Sequence, residues 1–547
     1  MQTRNVRYSA LLVFVLAGML HAGEPPVTSR TYVQKAPATS GQTLRLDTKS
    51  ATVVIVGSET RQIEVEAVVE VSGGSKVTTE EFFSSVELSL AASSNGYRVR
   101  LTLPEKDEEE GKAQSAGFLR RMFYSDGPGV ADLSASTVVT VSLPREFSLD
   151  LRSSFGDVNV RDLSGDLSID NSSGAISVTQ SRGSLQLAND YAMVDVSNFR
   201  GPVRLQGNST EVKLAAIVGT ATVRTSYRSV RLTDITGAVN VEALNGAVEG
   251  LRIDGDLDVV GSYKSISLED VSGNVSVNNQ SGNVTLVQIG GDAKIESSYR
   301  PIEVERVVGD LQITGSSSPV TVRDTQGDVL IRSSYRQVTV EDVQGAVDID
   351  NQSGEVELRG VGASRVVNSH RYIKAEDVHG DLEILGNSSE VTVRGVDGHA
   401  SVRTSYRPVV IEDVGGDVRV NASSSSVMVE SVQGDLDVSS SFKFIIVKGA
   451  AGSVQIRGNN SPVEVSRLAR MVSGQAIELS TTSKPITLRL PVDADIQGVL
   501  ETRLGQIQSD FALDEDEDDE RRARIKLGDG AARVQIKTDQ DIILQRE

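Results

Sequence analysis

An aromatic residue followed directly by a cation recurs in this chain, mostly at intervals of thirty-six residues. The pairs are Tyr227-Arg228, Tyr263-Lys264, Tyr299-Arg300, Tyr335-Arg336 and Tyr406-Arg407, with His370-Arg371 and Phe442-Lys443 at matching positions. Aromatic rings stack on flat ligand faces, and guanidinium groups donate paired hydrogen bonds to planar acceptors. A row of such pairs at a fixed pitch predicts a surface that binds a repetitive polymer such as a glycan.

The same pairs also allow a structural interpretation. Tyr335 is in phase with Val329 and Ile331, two residues that we expect to point inward, so its ring would pack beneath a corner. The cation that follows would then only neutralise acidic residues such as Glu341 and Asp342. The sequence leaves both interpretations open.

A glycine that recurs every eighteen residues sets the period on which these pairs lie. The series has seventeen members, and only the interval between Gly345 and Gly362 is shorter, at seventeen residues. A short fixed period indicates a stack of equivalent units, each in contact with its neighbours. At the glycine we expect either a turn with positive φ or a site without room for a Cβ atom. The members are Gly165, Gly183, Gly201, Gly219, Gly237, Gly255, Gly273, Gly291, Gly309, Gly327, Gly345, Gly362, Gly380, Gly398, Gly416, Gly434 and Gly452.

Aliphatic and polar residues alternate on both sides of each glycine. The fourth residue after glycine is always Ile, Leu or Val, as in Ile313, and a second alternation precedes the next glycine, as in Val320 and Val322. Alternation with period two predicts strands with one buried face. Because hairpins would not repeat identically every eighteen residues, the pattern predicts an all-β parallel β-solenoid, or β-helix, with a rise of about 4.8 Å per coil. The spacing of the tyrosines makes a pair of coils the repeating unit.

Composition limits the partners of the protein. The 547 residues carry a formal net charge of −20 and include no Cys and no Trp. An acidic surface repels nucleic acid phosphates and anionic lipid headgroups, so we expect neither as a partner. Without disulfides, stability must come from packing and strand pairing.

Residues 1–22 have the pattern of a signal peptide. Arg4 and Arg7 precede a short apolar stretch from Ala10 to Leu20, and cleavage after Ala22 fits the pattern. The stretch is short for a membrane span, although an uncleaved anchor is the alternative. No later segment is apolar enough to span a bilayer. The pattern predicts export to the periplasm or the cell surface.

The regularity of the pattern divides the rest of the chain into three regions. Residues 23–145 keep strand-like alternation without strict spacing and predict an N-terminal β cap, with an insertion at 104–132 that forms a loop or a docking helix. Residues 146–470 predict the regular solenoid. Residues 471–547 predict a C-terminal β cap that contains an acidic loop at 513–522.

Other residue types that can perform chemistry give weaker signals. Asp follows the periodic glycine in many coils. Repeated acidic turns can bind Ca²⁺, but Asp is also an ordinary turn residue that bonds its own backbone. His370, His379 and His399 have spacings that do not match the coil, so we expect no metal site from them. Short uniform coils indicate no cleft, so we expect neither enzyme activity nor a cofactor. The acidic residues are Asp166, Asp256, Asp292, Asp310, Asp328, Asp381, Asp417 and Asp435.

Three parts of the chain resemble a known bacterial pattern. They are Gly41-Gln-Thr-Leu-Arg-Leu46, the stretch from Val139 to Val158, and Ile486-Thr-Leu-Arg-Leu-Pro491 followed by Thr502-Arg-Leu-Gly-Gln-Ile507. Together they resemble the bacterial "putative adhesin" family, a domain of unknown function in exported or envelope proteins. The resemblance implies a right-handed parallel β-solenoid without established enzymatic chemistry.

These features predict a non-enzymatic exported β-solenoid with a structural or adhesin-like role in the bacterial cell envelope, whose partner is a glycan or an envelope protein. The first alternative is a periplasmic module that binds or assembles an envelope protein in envelope-stress signalling. The second alternative is a polysaccharide-active enzyme.

Overall fold

A computed structural model confirms the predicted fold class. Nearly all of the regular secondary structure in the described residues is β-strand, wound as a parallel β-solenoid with eighteen residues per coil. The structure describes residues 27–73, 76–104, 134–516 and 519–547. The predicted signal peptide lies outside these ranges, and so does the predicted insertion after its first residue.

Two compact units make up the chain, Met1–Lys264 and Ser265–Glu547, and each is described by itself. The first unit begins with less regularly spaced strands, two of which pair in parallel with strands of the first regular coil. Its first elements are β1 (Val27–Pro37), β2 (Thr43–Asp47), β3 (Thr52–Ser58), β4 (Gln62–Ser72), α1 (Lys76–Ser84), β5 (Glu87–Ser93), β6 (Gly96–Thr102) and β7 (Ser134–Pro144).

In this N-terminal part, β4 pairs antiparallel with both β1 and β7, and β5 pairs antiparallel with β6. Helix α1 buries Phe82 and Phe83. The hydroxyl of Tyr32 donates a hydrogen bond of 2.7 Å to the carbonyl of Phe83, and the guanidinium of Arg30 lies 4.8 Å from the centre of that ring. The helix is thereby fixed against β1.

The coils of the first unit follow, with two strands in each full coil. Even-numbered strands pair in parallel with the next even-numbered strand, and odd-numbered strands pair with the next odd-numbered strand, so two sheets face each other. The strands are β8 (Ser148–Phe155), β9 (Val158–Arg161), β10 (Leu167–Ser173), β11 (Ile176–Arg182), β12 (Leu185–Asn189), β13 (Val194–Arg200), β14 (Val203–Gly207), β15 (Val212–Val218), β16 (Ala221–Ser226), β17 (Val230–Thr236), β18 (Val239–Leu244), β19 (Val248–Asp254) and β20 (Leu257–Gly261).

The second unit repeats this arrangement and ends in less regular strands. Its coils contain β21 (Ile266–Val271), β22 (Val275–Asn279), β23 (Val284–Ile289), β24 (Ala293–Ser298), β25 (Ile302–Val307), β26 (Leu311–Ser316), β27 (Val320–Thr325), β28 (Val329–Ser333), β29 (Val338–Val343), β30 (Val347–Asn351), β31 (Val356–Val361), β32 (Ser364–Asn368), β33 (Ile373–Val378), β34 (Leu382–Gly386), β35 (Val391–Val396), β36 (Ala400–Ser405), β37 (Val409–Val414), β38 (Val418–Ser423), β39 (Val427–Val432), β40 (Leu436–Ser441), β41 (Ile445–Ala450), β42 (Val454–Asn459) and β43 (Val463–Ser466). The last strands are β44 (Ala476–Thr482), β45 (Ile486–Leu490), β46 (Ile496–Thr502), β47 (Ile507–Ser509), β48 (Asp514–Asp516), β49 (Asp519–Leu527), β50 (Ala532–Thr538) and β51 (Ile542–Arg546).

One coil of the second unit shows how the core is filled. Val329 and Ile331 of β28 face Val338 and Val340 of β29 across the interior, and Val343 closes the coil; each is at most 2% exposed. Full burial of such a side chain stabilises the fold by about 1.5–3 kcal/mol. Because equivalent residues stack, each side chain also contacts its counterparts in the adjacent coils.

The strand register stacks like residues on like residues. Ile313 of β26 is the partner of Ile331 in β28, and Ile313 is fully buried, as predicted. At the one short interval the ladder continues, with Val347 of β30 beside Ser364 of β32. The missing residue therefore shortens a turn and leaves the pairing intact.

Both physical reasons predicted for the periodic glycine are present. Gly183 has φ +123°, a conformation that residues with a side chain rarely adopt. A Cβ atom on Gly345 would lie 2.3 Å from the carbonyl oxygen of Gly327, one coil away. The corner brings successive backbones too close for any side chain.

The acidic segment 513–522 differs from the predicted loop. Strands β48 and β49 occupy most of it and pair antiparallel, with Asp514 opposite Arg524, and β49 also pairs with β46. Opposite charges across an antiparallel pair stabilise an exposed strand. Asp514 and Arg524 form such a pair, whereas Asp516 lies opposite Asp519, so the charge run does not exclude strands.

Candidate ligand-binding surface

The aromatic residues of the predicted row lie at one corner of the coil, where one strand ends and the next begins, and Phe155 and Tyr191 occupy the equivalent positions of earlier coils. In each unit, we refer to these residues and the cations that follow them as the aromatic stripe of that unit. In the first unit the aromatic residues are Phe155, Tyr191, Tyr227 and Tyr263; in the second they are Tyr299, Tyr335, His370, Tyr406 and Phe442.

The backbone is left-handed at five of these nine aromatic residues. Tyr299 and Tyr335 have φ +67°, Tyr406 has φ +64°, and in the first unit Tyr227 has φ +66°. A residue with a Cβ atom adopts this conformation at a cost of about 1–2 kcal/mol, and Asn, Asp and Gly adopt it most readily. Intervening coils place small polar residues there, such as Ser317 with φ +59°. The backbone therefore does not require an aromatic residue at this corner.

The rings point into solvent, so the interpretation in which they pack beneath the corner is wrong. The five tyrosines of the predicted row are 60% to 71% exposed. The phase argument fails because β28 ends at Ser333, so the alternation of the strand no longer applies at Tyr335, whose own backbone is left-handed. Ser333 is the last inward residue of the strand, and Tyr335 turns outward.

Buried hydroxyl groups hold this corner from inside. In the second unit, Ser318 Oγ donates to the carbonyl of Ser297 at 3.5 Å, and Ser333 Oγ donates to the carbonyl of Ser318 at 3.4 Å. In the first unit, Thr225 donates to the carbonyl of Thr210 at 2.8 Å. These bonds satisfy turn carbonyls that face the apolar core, which explains the Ser or Thr two positions before Tyr227, Tyr299 and Tyr335.

The arginines of the stripe are exposed and without partners in the described ranges. Arg300, Arg336 and Arg407 in the second unit, and Arg228 in the first, form no side-chain hydrogen bond or ion pair with any residue that the structure describes. Lys264 does have a contact of its own. In a protein of net charge −20, four unpaired guanidinium groups are available to bind an external acceptor.

The proposed neutralising role of the arginines is wrong for Glu341. Its carboxylate binds Arg323 at 2.9 Å and Arg359 at 2.7 Å, both on the neighbouring strands of its own sheet. The hydrogen bond from Arg323, assisted by the charge of Arg359, lowers the pKa of Glu341 below its ordinary value. Arg336 takes no part in this cluster, so its charge has no structural partner there.

The rings repeat at every second coil. Two coils correspond to about 9.6 Å along the axis, which sets the separation of Tyr299 from Tyr335 in the second unit and of Tyr227 from Tyr263 in the first. This spacing is too large for neighbouring rings to stack on one another. It leaves each ring face free for a ligand, with a cation at its side.

The acidic residues after the periodic glycine bond to the next coil. The Oδ1 atom of Asp292 accepts the backbone N–H of Asp310 at 2.9 Å, and Asp310 accepts that of Asp328 at 2.9 Å. In the first unit, Asp166 accepts the hydroxyl of Ser184 at 2.7 Å and its N–H at 3.0 Å, and these bonds lower the pKa of Asp166. The sequence interpretation placed such bonds within one turn, whereas they connect successive coils.

The three histidines occupy different positions of the coil, with His379 directly before Gly380 and His399 directly after Gly398. His370 belongs to the stripe, His379 Nδ1 lies 3.0 Å from Asp397 Oδ2, and His399 Nδ1 accepts the N–H of Asp417 at 2.9 Å. Among the described residues, no group of three or more His, Asp or Glu side chains has the arrangement of a metal site.

Sequence reasoning missed a second row of left-handed residues. It lies three positions before the periodic glycine and includes Asp324 with φ +55° and Asp342 with φ +56°. The kink turns the following residue inward, as in Val343, which is 2% exposed. The frequent Asp, Asn, Gln or Gly at this position was the signal for it, because these residues tolerate left-handed backbone.

Comparison with known proteins gives little further guidance. No protein-family model and no curated protein matches the chain. One solved structure that matches is "a putative cell adhesion protein" from Clostridium sporogenes, which is 8% identical, covers 48% of this chain and 99% of its own, and has a TM-score of 0.15. At this level the likeness carries no argument about function. In the ranges that the structure describes, no helix has the length and apolar character needed to cross a membrane.

Proposed function

We propose that this protein is a non-enzymatic, exported, adhesin-like binding protein of the bacterial envelope that holds an extended polysaccharide on its aromatic stripe. The pattern of residues 1–22 supports export. The regular coils support a binding role, because they present one surface repeatedly and do not shape a deep cleft around a single bond.

The observation that carries the proposal is the exposed tyrosine at a left-handed corner. Tyr299 and Tyr335 hold a conformation that Asn would hold at lower cost, and both residues are more than 60% exposed. Such strained residues persist where function requires them. An exposed ring beside an unpaired guanidinium is suited to stack on a sugar and to bind its polar groups.

The pitch of the stripe supports a polymer as the ligand. Rings separated by about 9.6 Å require a ligand that presents equivalent faces at a similar interval. A disaccharide repeat of an extended β-linked glycan has a comparable length. Several weak contacts along one chain add up to strong binding because every contact after the first is intramolecular.

A glycan array with purified protein tests this function. The variant combines Tyr299→Ala, Arg300→Ala, Tyr335→Ala and Arg336→Ala, and the control is Val308→Ala, an exposed apolar residue of the same unit outside the stripe. We expect the parent and the control to bind the same extended glycan and the stripe variant to lose it, with unchanged circular dichroism. Equal binding by the folded stripe variant would contradict the proposal.

The array also separates the two other functions. Binding of an envelope protein instead of any glycan would favour a protein-binding module. Shortening of the bound polymer by the purified protein would favour an enzyme.

A further inference from the structure

A polar groove in the first unit lies where the N-terminal strands meet the first coils. Its volume is about 950 Å³, within the range of small-molecule sites. Its walls come from the turns after β3 and β7 and from the left-handed corners of the first coils. The aromatic stripe contributes none of the residues that line it.

Two arginines stand side by side in this groove. Arg182 of β11 and Arg200 of β13 are partners in the parallel register, so their backbones lie about 4.8 Å apart. Both side chains are exposed, and neither forms an ion pair or a side-chain hydrogen bond with any described residue. The next position in the ladder is Val218, which supplies no opposite charge. Like charges in this arrangement destabilise a sheet, so this pair has no structural explanation.

The N-terminal strands bring two more guanidinium groups to the groove, those of Arg61 and Arg145. Arg145 lies 3.4 Å from Glu59, an exposed pair of little energetic value. The backbone of both arginines is fixed, because Arg61 accepts the N–H of Ala38 at 2.9 Å and Arg145 accepts that of Ser164 at 2.6 Å. The backbone positions of Arg61 and Arg145 at the groove are therefore fixed before any ligand arrives.

The rest of the lining is rich in hydrogen-bond acceptors and amides. Asp162, Gln180 and Asn198 are at successive left-handed corners, with φ values of +62°, +50° and +52°. Glu146 accepts a hydrogen bond of 2.7 Å from the hydroxyl of Ser40. Carboxylates and amides of this kind accept hydrogen bonds from sugar hydroxyls, whereas a purely basic groove would suit a phosphate or sulfate.

We propose that this groove binds a carboxylated saccharide, such as a segment of a uronic acid polymer. The carboxylate of the sugar is bound by Arg182 and Arg200, since paired guanidinium groups match a planar carboxylate. The hydroxyls of the sugar donate to Asp162 and Glu146. This site is separate from the aromatic stripe and does not depend on the function proposed for it.

Isothermal titration calorimetry with oligosaccharides of galacturonic acid and of glucuronic acid tests the site. The fully methyl-esterified galacturonate oligosaccharide, which has the same size without the charge, is the ligand control. We expect the full-length protein to bind at least one acid form and to bind the ester at least tenfold more weakly, because a bond to a charged group is lost. Binding of neither acid, or equal binding of acid and ester, would overturn the proposal. Equal binding of a polyglutamate peptide would overturn the saccharide class.

The double variant Arg182→Gln and Arg200→Gln tests the named residues. Its control is Arg231→Gln, which removes an arginine of the same sheet that is paired with Glu249 at 2.7 Å. The double variant should bind the acid form at least tenfold more weakly, and the control should bind it like the parent. Unchanged affinity of the double variant would overturn the assignment.

A thermal melt without ligand gives a second measurement. Arg182→Gln should raise the melting temperature at low ionic strength, because it removes a like-charge contact, and salt should reduce the gain. A lower melting temperature for this variant would mean that Arg182 has a structural role, which would contradict the site.

Discussion

Tyr299 and Ser317 occupy the same left-handed corner of successive coils, with φ values of +67° and +59°. The hydroxymethyl group of Ser317 is half-buried, whereas the ring of Tyr299 is 67% exposed. The same backbone thus carries a small polar residue in one coil and a large exposed ring in the next. The fold therefore accepts either residue at this corner, and the choice of an aromatic ring concerns the surface.

Replacing Tyr299 with Asn should leave the fold as stable as the parent or stabilise it by about 1 kcal/mol. Asn adopts left-handed backbone readily and is the residue that the chain itself places at Asn245 in the first unit. Chemical denaturation of the single variant measures the change. The same variant should bind glycan more weakly. A clear loss of stability would show that the ring supports the fold.

Replacing Ile313 with Asp should destabilise the second unit by about 3–5 kcal/mol, because an unpaired charge would be buried between Ile295 and Ile331. The neighbouring residue gives the control, because Thr314 faces solvent on the same strand and Thr314→Asp should change stability by about 0.5 kcal/mol or less. Urea denaturation of both variants measures the two changes in the free energy of unfolding. Similar curves for the two would mean that residue 313 does not face a packed core.

The alternation of residues predicted the core correctly because stacked coils repeat one environment. Ile313 meets the same neighbours as its equivalents, so a fixed period is enough to place it inside. The direction of Tyr335 was not predictable from this period, since its strand ends two residues earlier and the sign of φ is not visible in alternation. The groove at Arg182 depends on how the non-periodic N-terminal strands pack, and no periodic signal specifies that packing.

Asp310 should be replaceable by Asn but not by Ala. Its Oδ1 atom accepts the N–H of Asp328, and Asn274 performs the same task for Asp292 in the same unit. Asp310→Ala leaves that N–H without its acceptor and should cost about 1 kcal/mol, while Asp310→Asn should cost less than half of that. Denaturation of both variants measures the difference. Equal losses would mean that the negative charge, and not the hydrogen bond, is what matters.

Glu341 should make stability depend on pH in the acid range. The hydrogen bond from Arg323, with the charge of Arg359, holds the pKa of Glu341 below its ordinary value of 4.5. A carboxyl group with a lower pKa in the folded state stabilises the fold above its unfolded value, and this contribution is lost as the pH falls through the folded value. Glu341→Gln should therefore melt below the parent at neutral pH.

The difference between the melting temperatures of the parent and Glu341→Gln should shrink as the pH falls below 4.5. Glu303, an exposed residue of the same sheet, gives the control Glu303→Gln, which should show no such convergence. A constant difference across the acid range would contradict the ion-pair explanation.

Two periodic glycines should differ in their tolerance of a methyl group. A Cβ atom on Gly345 would meet the carbonyl oxygen of Gly327 at 2.3 Å, whereas on Gly380 its nearest neighbour, the backbone nitrogen of Ala363, would lie at 3.0 Å. Gly345→Ala must therefore push two backbones apart and should cost about 1–3 kcal/mol, while Gly380→Ala requires a shift of a few tenths of an ångström and should cost clearly less. Urea denaturation of the two variants measures both losses of stability. The two sites are the same corner of the coil, but only Gly345 has a carbonyl oxygen so close. If Gly380→Ala proves the more destabilising of the two, the close approach of coils does not explain the glycine series.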